Sequence, residues 1–325
     1  MTAFEISDKQ IALAAATLQN GGLVAFPTET VYGLGADATN AQAVAAIFDA
    51  KNRPRFDPII VHVADITQLE TVVSELPPLT QPLANAFWPG PLTLVLPRSE
   101  TIPKIVSAGL PTVAVRIPDH PVAKRLIETA RCPIAAPSAN RFGSISPTTA
   151  EHVRSQFGNQ IGKQIETVLD AGPCRVGVES TVLDLSGPIP CLLRPGGVTL
   201  EELRDTIGKV DVHQGTQPVD QAAPAPGLLA KHYAPRTPVV LVDAIITPPA
   251  TTSGLLTLTP PDSTHTWAAL EVLSESGNLI EAAANFFAAL HRLDDAGLEQ
   301  IVAVRFPDSG LGVALNNRLQ RAAHT

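Results

Sequence analysis

The chain has 325 residues, of which 45% are hydrophobic and 17% charged, so it is typical of a globular protein longer than one ordinary domain. Its formal net charge of −8 and its aromatic content of 4% argue against a surface built to bind nucleic acid. The cysteines, Cys132, Cys174 and Cys191, are odd in number and far apart, so neither a disulfide framework nor a zinc site is expected.

The N-terminal segment shows no targeting signal. It contains acidic residues, lacks a basic n-region and leads into a short apolar run at 11–18 that is typical of one helix face. No stretch of about 18 uncharged apolar residues occurs, so no membrane span is expected. We therefore predict a cytoplasmic protein.

The first two hundred residues alternate between strand-like and helix-like segments. Their predicted elements begin with a strand at 22–26, a helix over 41–51, a strand over 58–63 and a helix over 66–76. Further apolar strands follow as far as residue 185, and a helix over 201–209 comes last. This alternation predicts an α/β sheet with covering helices, in a first domain that spans 1–209.

Beyond residue 209 the composition changes. Residues 210–227 are rich in Pro, Gln, Ala and Asp without an apolar period, which indicates an interdomain linker that we place at 210–236. A second α/β pattern then includes a long helix over 278–297 and a final helix over 314–323. We predict a small separate domain over 237–325.

A glycine-containing segment follows the first strand. GLGADA at 33–38 satisfies G-x-G-x-x-A between a strand and a helix, so a dinucleotide-binding loop has to be considered. The acidic strand end expected about twenty residues later is replaced by basic residues and a proline in AKNRPRFDP. Since a Walker A motif is absent as well, the sequence favours neither a nicotinamide cofactor nor a P-loop.

Small polar side chains recur at the ends of the predicted strands. In PTETVYG an extended chain places Thr28, Thr30 and Tyr32 on one face, as a platform of hydroxyl groups. Such threonines can also serve only to stabilise a turn. Their recurrence elsewhere favours a ligand crevice in an open α/β sheet. The other strand-end groups are Thr112 and Arg116, Ser138 and Asn140, and Ser180.

Several basic residues lie among apolar or Gly/Pro-rich neighbours in this acidic chain. They are Lys51, Arg53, Arg116 and Arg194. Pro54 disfavours helical geometry at Arg53, so the helix is predicted to stop near Asn52 with Lys51 on its last turn. Each of these cations alone could be a side chain at the edge of the core. Together, cations fixed in this way suit a polyphosphate.

Two further segments carry candidate ligand groups. His62 interrupts a buried strand, where it is either a core histidine or a contact for the carboxylate or amine of a substrate. The segment 225–236 is either a tethering turn or a lid that closes over a crevice and excludes water. Its polar and aromatic residues are Lys231, His232, Tyr233 and Arg236.

Seven motifs in chain order carry a resemblance to a known family. They are FPTETVYGLGADA, AKNRPRFDPIIVHV, TVAVRIPDH, APSANRFGSISPT, GVESTVLDL, LLRPGG and PGLLAKHYAP. Together they resemble the L-threonylcarbamoyladenylate synthases of the YrdC type. The closing GLGVALNNRLQRAA resembles the tail of the long, two-domain form of this family, so the likeness spans nearly the whole chain.

The resemblance implies a fold and a reaction. The fold is a twisted open mixed sheet with a concave, positively charged pocket, followed by a small Rossmann-like α/β domain whose linker covers that pocket. The reaction joins L-threonine, bicarbonate or CO2, and ATP with its Mg²⁺ into threonylcarbamoyl-AMP, and releases pyrophosphate. The product then passes to a tRNA threonylcarbamoyl-transferase, and no stable binding of nucleic acid by this chain is expected.

The resemblance also implies site residues, carried over motif by motif. L-threonine is assigned to Thr30, His62, Arg116 and Ser180. ATP is assigned to Arg53, Thr112, Ser138, Ser146, Arg194 and Tyr233. We add Lys51 and Asn140 as phosphate or nucleotide contacts, and we expect Lys51 and Arg53 to act as catalytic cations on the departing pyrophosphate. No residue is predicted as a metal ligand.

Asp57 departs from the family pattern, in which Asn or His is usual. A carboxylate beside a triphosphate repels it unless it engages Mg²⁺ or turns outward, and we keep Asp57 among the candidates for the ATP site. Because Arg53 is predicted to lie just past a helix end, Arg53→Ala is expected to reduce turnover and leave the fold intact.

Two rival functions were weighed. An RNA-binding or ribosome-associated module could use the same concave pocket, but the net charge and the low aromatic content argue against it. A carbamoyl-transfer enzyme of the hydrogenase-maturation type contains a related domain, but its zinc-finger cysteines are missing here.

Overall fold

The computed structural model describes residues 5–213, 233–245, 248, 250–262 and 265–323. Its helices are α1 (Asp8–Gln19), α2 (Ala41–Lys51), α3 (Ile66–Val72), α4 (Thr80–Phe87), α5 (Pro121–Ala130), α6 (Ala150–Phe157), α7 (Leu200–Ile207), α8 (Leu279–Asp295) and α9 (Leu311–Ala322). Its first strands are β1 (Val24–Phe26), β2 (Gly33–Asp37), β3 (Val61–His62), β4 (Leu92–Pro97), β5 (Thr112–Arg116), β6 (Ile134–Ala135) and β7 (Thr167–Val168). The later strands are β8 (Thr181–Asp184), β9 (Cys191–Arg194), β10 (Asp211–Val212), β11 (Val239–Val242), β12 (Ser253–Thr257), β13 (Ala269–Val272) and β14 (Gln300–Val304).

The strands form two sheets. The first has ten strands in the order β10-β9-β8-β4-β5-β3-β6-β2-β1-β7 and mixes parallel with antiparallel neighbours. The second has four parallel strands in the order β11-β14-β12-β13, and together with α8 and α9 we call it the C-terminal domain. The predicted fold class, a mixed α/β sheet followed by a small parallel α/β domain, is confirmed.

The helix that follows β2 begins and ends as its sequence predicts. The side chain of Asn40 accepts hydrogen bonds from the first free backbone N–H groups of α2. At the other end Asn52 adopts a left-handed conformation with φ of 53°, and α2 ends at Lys51. The chain therefore turns sharply before Arg53, which places this arginine beside the ends of the strands.

Apolar clusters pack against both faces of the first sheet. Along β1, Val24 and Phe26 join the cluster that α1 and α5 cover, whereas Ala25 joins the larger cluster that includes Val44 and Ile47 of α2. Among the described residues, no helix has the length and apolar character needed to cross a membrane. The sheet is thus a central layer whose strand ends remain available for a site.

The segment GLGADA does not form the loop that the sequence suggested. Gly33–Asp37 is strand β2, paired antiparallel with β1. A Cβ atom on Gly35 would lie 2.7 Å from Cε1 of Phe26 and 2.8 Å from Cγ2 of Ile134. Glycine is therefore required here for close packing within the sheet, and not for the approach of a phosphate.

The C-terminal domain packs directly against the first sheet's domain. One buried cluster contains Phe286, Phe287 and Leu290 of α8 together with Val31 and Val178 from the first part of the chain. Most of the predicted linker at 210–236 lies outside the described residues, so the three predicted boundaries stay predictions. The shared cluster means that the two domains meet through a common apolar surface.

Candidate active site

A pocket lies at the strand ends of the first sheet and contains about 540 Å³ of empty space, including its opening to solvent. β3 ends at His62 and β5 ends at Arg116, and these two residues are register partners in parallel strands. β9 ends at Arg194 on the same sheet. The predicted site residues that line the pocket are Thr30, Arg53, His62, Arg116, Ser138, Ser180, Arg194 and Tyr233.

The two threonines after β1 have different roles. Thr28 donates its hydroxyl to the Val31 carbonyl at 2.6 Å and accepts the backbone N–H groups of Thr30 and Val31, which fixes a tight turn. This turn places the Thr30 hydroxyl 2.8 Å from that of Thr28, where it accepts a hydrogen bond from Nη1 of Arg116 at 3.0 Å. The turn-stabilising interpretation therefore holds for Thr28, both threonines line the pocket, and a ligand contact by Thr30 stays a prediction.

Tyr32 does not belong to the predicted platform of hydroxyl groups. Its ring is fully buried in the core, and its hydroxyl donates to the Gly172 carbonyl at 2.8 Å. The extended-chain alternation fails because the turn at Thr28 interrupts the strand between β1 and β2. Val31, predicted to face away, lines the pocket instead.

Arg116 is held by a carboxylate that lies outside the pocket lining. Its Nη2 lies 2.7 Å from Oε1 of Glu29, and both side chains are almost completely buried. In this low-dielectric setting the pair is strong and leaves the guanidinium in one orientation. The Nε atom of Arg116 has no hydrogen-bond partner within the described parts of the chain.

Arg53 forms a second buried pair. Its Nη2 lies 2.9 Å from Oδ2 of Asp57, and the same side chain donates to the carbonyls of Asp57 and Pro58 at 3.2 and 2.8 Å. Asp57 is fully buried, so it does not turn outward, and it is not among the residues that line the pocket. Burial raises the pKa of the Asp57 carboxyl, against the opposing effect of the Arg53 charge.

Lys51 and Asn140 also lie outside the pocket lining. Nζ of Lys51 donates to the carbonyls of Ser138 and Asn140, the former at 2.6 Å, and ties the end of α2 to the loop that carries Ser138. Burial, followed by the charge of Arg53, lowers the pKa of Lys51 well below its usual value. The Asn140 amide donates to the carbonyls of Arg141 and Ser144 within its own loop. In this conformation both side chains support the wall of the pocket.

Two further candidates for the ATP site are placed elsewhere. Thr112 is the first residue of β5, opposite Pro97, and is therefore about 13 Å along the strand from Arg116. Ser146 is fully buried, and its hydroxyl donates to Oε1 of Glu179 at 2.5 Å. Contact of either side chain with a ligand in this pocket would require rearrangement.

Arg194 and Ser180 form one wall of the pocket. Arg194 donates to the Ser180 carbonyl through Nη2 at 2.8 Å, and its Nη2 lies 3.3 Å from the Ser180 hydroxyl. That hydroxyl is 2.7 Å from the hydroxyl of Thr93. Burial lowers the pKa of Arg194 and raises the pKa of Tyr233, which lines the pocket nearby.

His62 is a buried histidine at the pocket, and its contact with a substrate group stays a prediction. It is buried, with its ring edge-on to Phe26 at a centroid distance of 6.0 Å, and it lines the pocket. Burial, followed by the charge of Arg116, lowers its pKa from 6.5 to about 3. The imidazole is therefore neutral at physiological pH, so it can both donate and accept a hydrogen bond.

Three charged residues around the pocket were missed by the sequence analysis as site components. Glu179 lines the pocket beside Ser180, Glu29 holds Arg116, and Arg318 of α9 forms an ion pair with Glu179. Glu29 and Glu179 lie within motifs that the sequence singled out. Arg318 lies within the closing motif GLGVALNNRLQRAA, but nothing in the sequence pairs it with Glu179, which is 139 residues away.

Two family models together match almost the whole chain. The Sua5/YciO/YrdC model, described as "Telomere recombination", matches residues 16–196. The model described as "Threonylcarbamoyl-AMP synthase, C-terminal domain" matches residues 198–324. Both parts of the fold therefore have counterparts in one known architecture.

Similar proteins extend over the same length. A threonylcarbamoyl-AMP synthase of Pyrococcus abyssi is 43% identical over 98% of this chain and 95% of its own length. One of Bacillus subtilis is 42% identical over 98% of this chain and 94% of its own length. The crystal structure of P. abyssi Sua5 complexed with L-threonine has a TM-score of 0.88 at 42% identity, and covers 98% of this chain and 95% of the other.

Fold, pocket and similarity together define a class of protein, an α/β nucleotidyltransferase that uses ATP to make an AMP-linked intermediate. The chain belongs to the threonylcarbamoyl-AMP synthase family of Sua5/YciO/YrdC proteins. The family and the class of enzyme expected from the seven motifs are confirmed.

A low pKa for His62 makes stability depend on pH. Between its folded pKa of about 3 and its unfolded value of 6.5, only the unfolded chain binds this proton. The contribution of His62 to the free energy of unfolding should fall as the pH drops below 6.5, by up to about 1.4 kcal/mol per pH unit. Above pH 6.5 this contribution should not change with pH. Urea unfolding of wild type and His62→Gln near neutral and mildly acidic pH measures the difference, and identical pH dependence in the two proteins would contradict the assignment.

Proposed function

We propose that the pocket binds L-threonine and ATP side by side and joins them through CO2 or bicarbonate into threonylcarbamoyl-AMP. The observation that supports this most is the convergence, in one pocket, of the hydroxyls of Thr30, Ser138 and Ser180 with the arginines Arg53, Arg116 and Arg194. The P. abyssi relative, 42% identical, is known in complex with L-threonine. A small amino acid and a triphosphate match the two kinds of groups that the pocket offers.

The threonine half of the site is assigned to the ends of β3 and β5. Arg116 provides a fixed guanidinium for the carboxylate, since Glu29 and the Thr30 hydroxyl already orient it. His62 is neutral and is the register partner of Arg116, so we assign it a hydrogen bond to a polar group of the amino acid. Ser180 offers a further hydroxyl. Short, fixed groups of this kind hold a small substrate with little loss of conformational entropy.

The ATP half is assigned to Arg53, Ser138, Arg194 and Tyr233. Arg53 and Arg194 are the cations for the phosphates, and both are oriented by contacts to the backbone. Lys51 would act indirectly here, because its Nζ fixes the loop that carries Ser138. Asp57 would orient Arg53. The charge of Arg53 would in turn reduce the repulsion between the Asp57 carboxylate and the triphosphate.

The chemistry follows from this arrangement. The free amine of threonine attacks CO2 and loses a proton to give a carbamate, and a carbamate oxygen then attacks the α-phosphorus of ATP. A new O–P bond forms as the bond to pyrophosphate breaks, and the charge on pyrophosphate is met by Arg53, Arg194 and the Mg²⁺ that accompanies ATP as substrate. A pocket shielded from water would protect the carbamate from decomposition.

The predicted lid and the fate of the product complete the proposed reaction. Tyr233 is the one residue of the predicted lid that lines the pocket among those the structure describes, and Lys231 and His232 fall outside that part of the chain. We assign 210–236 to covering the pocket during turnover. The product is a mixed anhydride for a separate tRNA threonylcarbamoyl-transferase, and the location is assigned to the cytoplasm.

The overall reaction can be tested directly. Purified protein mixed with L-threonine, bicarbonate and Mg·ATP should release pyrophosphate only when all three substrates are present, because the carbamate is the nucleophile. Omission of each substrate in turn provides the controls. Pyrophosphate release that is unaffected by omitting threonine would contradict the proposal.

The buried pair of Arg53 and Asp57 corrects the expectation that Arg53→Ala leaves the fold intact. Removing this arginine strands the buried Asp57 carboxylate, which should cost about 3–5 kcal/mol of stability. Arg53→Ala/Asp57→Asn removes both charges, so it should fold better and yet lose roughly 100-fold in turnover, because a phosphate contact is missing.

The matched control is Arg55→Ala, since Arg55 lies two residues away and is exposed. It should keep wild-type stability and turnover, as measured by urea unfolding and by threonine-dependent pyrophosphate release. A folded Arg53→Ala/Asp57→Asn variant with wild-type turnover would remove Arg53 from the site.

A further inference from the structure

A buried arginine of the C-terminal domain contacts the wall of the pocket in the first domain. Arg318 of α9 is fully buried, and its Nε donates to Oε2 of Glu179 at 2.9 Å. Its Nη1 donates to the Pro195 carbonyl at 2.7 Å. Its Cζ lies 5.3 Å from the centre of the Tyr233 ring, within range of a cation–π interaction. One guanidinium thus reaches three points around the pocket.

The two acceptors of Arg318 in the first domain are sequence neighbours of pocket residues. Glu179 precedes Ser180, and Pro195 follows Arg194. Ser180 and Arg194 are themselves joined through the Ser180 carbonyl. Arg318 therefore braces, from the side of the C-terminal domain, the two backbone segments that form this wall, and its planar fork suits such a bridge.

The charge of Arg318 matters as much as its geometry. The Glu179 carboxylate lines the pocket and is buried, and it is neutralised by Arg318 and by a hydrogen bond from Ser146. A buried carboxylate without a counter-charge is costly, and beside a triphosphate it is also repulsive. Threonine carries no net charge as a zwitterion, so the same carboxylate would affect it less.

Other contacts place α8 and α9 closely on the same wall. Nε2 of His291 lies 3.3 Å from the Ser146 carbonyl, so the serine that donates to Glu179 is also contacted by α8. Gly177 has φ of 74°, and a Cβ atom there would lie 2.3 Å from the Ala283 carbonyl oxygen. This packing leaves no room for a side chain at position 177, and it fixes where the C-terminal domain sits relative to Glu179.

We propose that Arg318 is a positioning residue for ATP, and that docking of the C-terminal domain completes the ATP half of the site. Arg318 supplies the positive charge that neutralises Glu179, and it holds the Ser180 and Arg194 segments in place. The C-terminal domain is then part of the pocket, and not only an anchor for the linker. This inference rests on the proposed function, since it concerns affinity for ATP at that site.

The test compares full-length variants by steady-state kinetics of pyrophosphate release and by their unfolding temperatures. Arg318→Met should raise the KM for ATP by about tenfold or more, and the KM for threonine by much less, because the unpaired Glu179 repels the triphosphate. Arg318→Met/Glu179→Gln removes that repulsion, so it should recover a large part of the loss in KM for ATP. Arg318→Lys keeps the charge without the fork, so its KM for ATP should lie between wild type and Arg318→Met.

The control is Arg305→Met, an exposed arginine of the C-terminal domain that pairs with Asp243. Its kinetic constants should equal those of wild type. If Arg318→Met does not fold, Arg318→Lys takes its place: its KM for ATP should exceed that of wild type because the fork is lost, and a wild-type value would overturn the inference. A wild-type KM for ATP in folded Arg318→Met, or no recovery on adding Glu179→Gln, would overturn the inference.

Failure of the proposed function would be recognised separately. In that case wild type itself would give no threonine-dependent pyrophosphate, and the variants would be compared by calorimetric titration with Mg·ATP. Weaker binding to Arg318→Met than to wild type would then still support a positioning role for Arg318, and equal binding would overturn it.

Discussion

Buried arginine–carboxylate pairs are the interactions on which this pocket depends. Arg53 pairs with Asp57, Arg116 with Glu29, and Arg318 with Glu179, all at 2.7 to 2.9 Å and with little exposure to solvent. In a chain with net charge −8, these pairs hold arginines at fixed positions around the pocket. Such pairs add little net stability, because desolvation offsets their attraction, but they fix the orientation of each guanidinium.

The pairs also explain how separate parts of the chain build one site. Arg116 ends β5 and Arg318 comes from α9 in the second domain, so their two pairs each join distant parts of the chain. The pair of Arg53 and Asp57 is local, since the two residues are four positions apart after the end of α2. The backbone carbonyls that Lys51 and Arg194 contact extend this network to the loops. Stability and function are therefore coupled at this edge of the sheet.

The sequence predicted the features that depend on local order. The class of fold, the end of α2 at Lys51 and most of the residues that line the pocket follow from periodicity, capping and motif order. It failed where tertiary contacts decide. β2 forms because Phe26 and Ile134 pack over its glycines, and Glu179 meets an arginine that is 139 residues away in the chain. No local spacing encodes such partners, so the sequence could not show that the Ser146 hydroxyl donates to Glu179.

The most direct test of this account is a crystal structure with L-threonine and a non-hydrolysable ATP analogue bound together. The account predicts the threonine carboxylate at Arg116, the triphosphate between Arg53 and Arg194, and the amine separated from the α-phosphorus by the space of one CO2 molecule. A triphosphate bound away from both arginines, or threonine bound outside the pocket that contains Thr30, would contradict it.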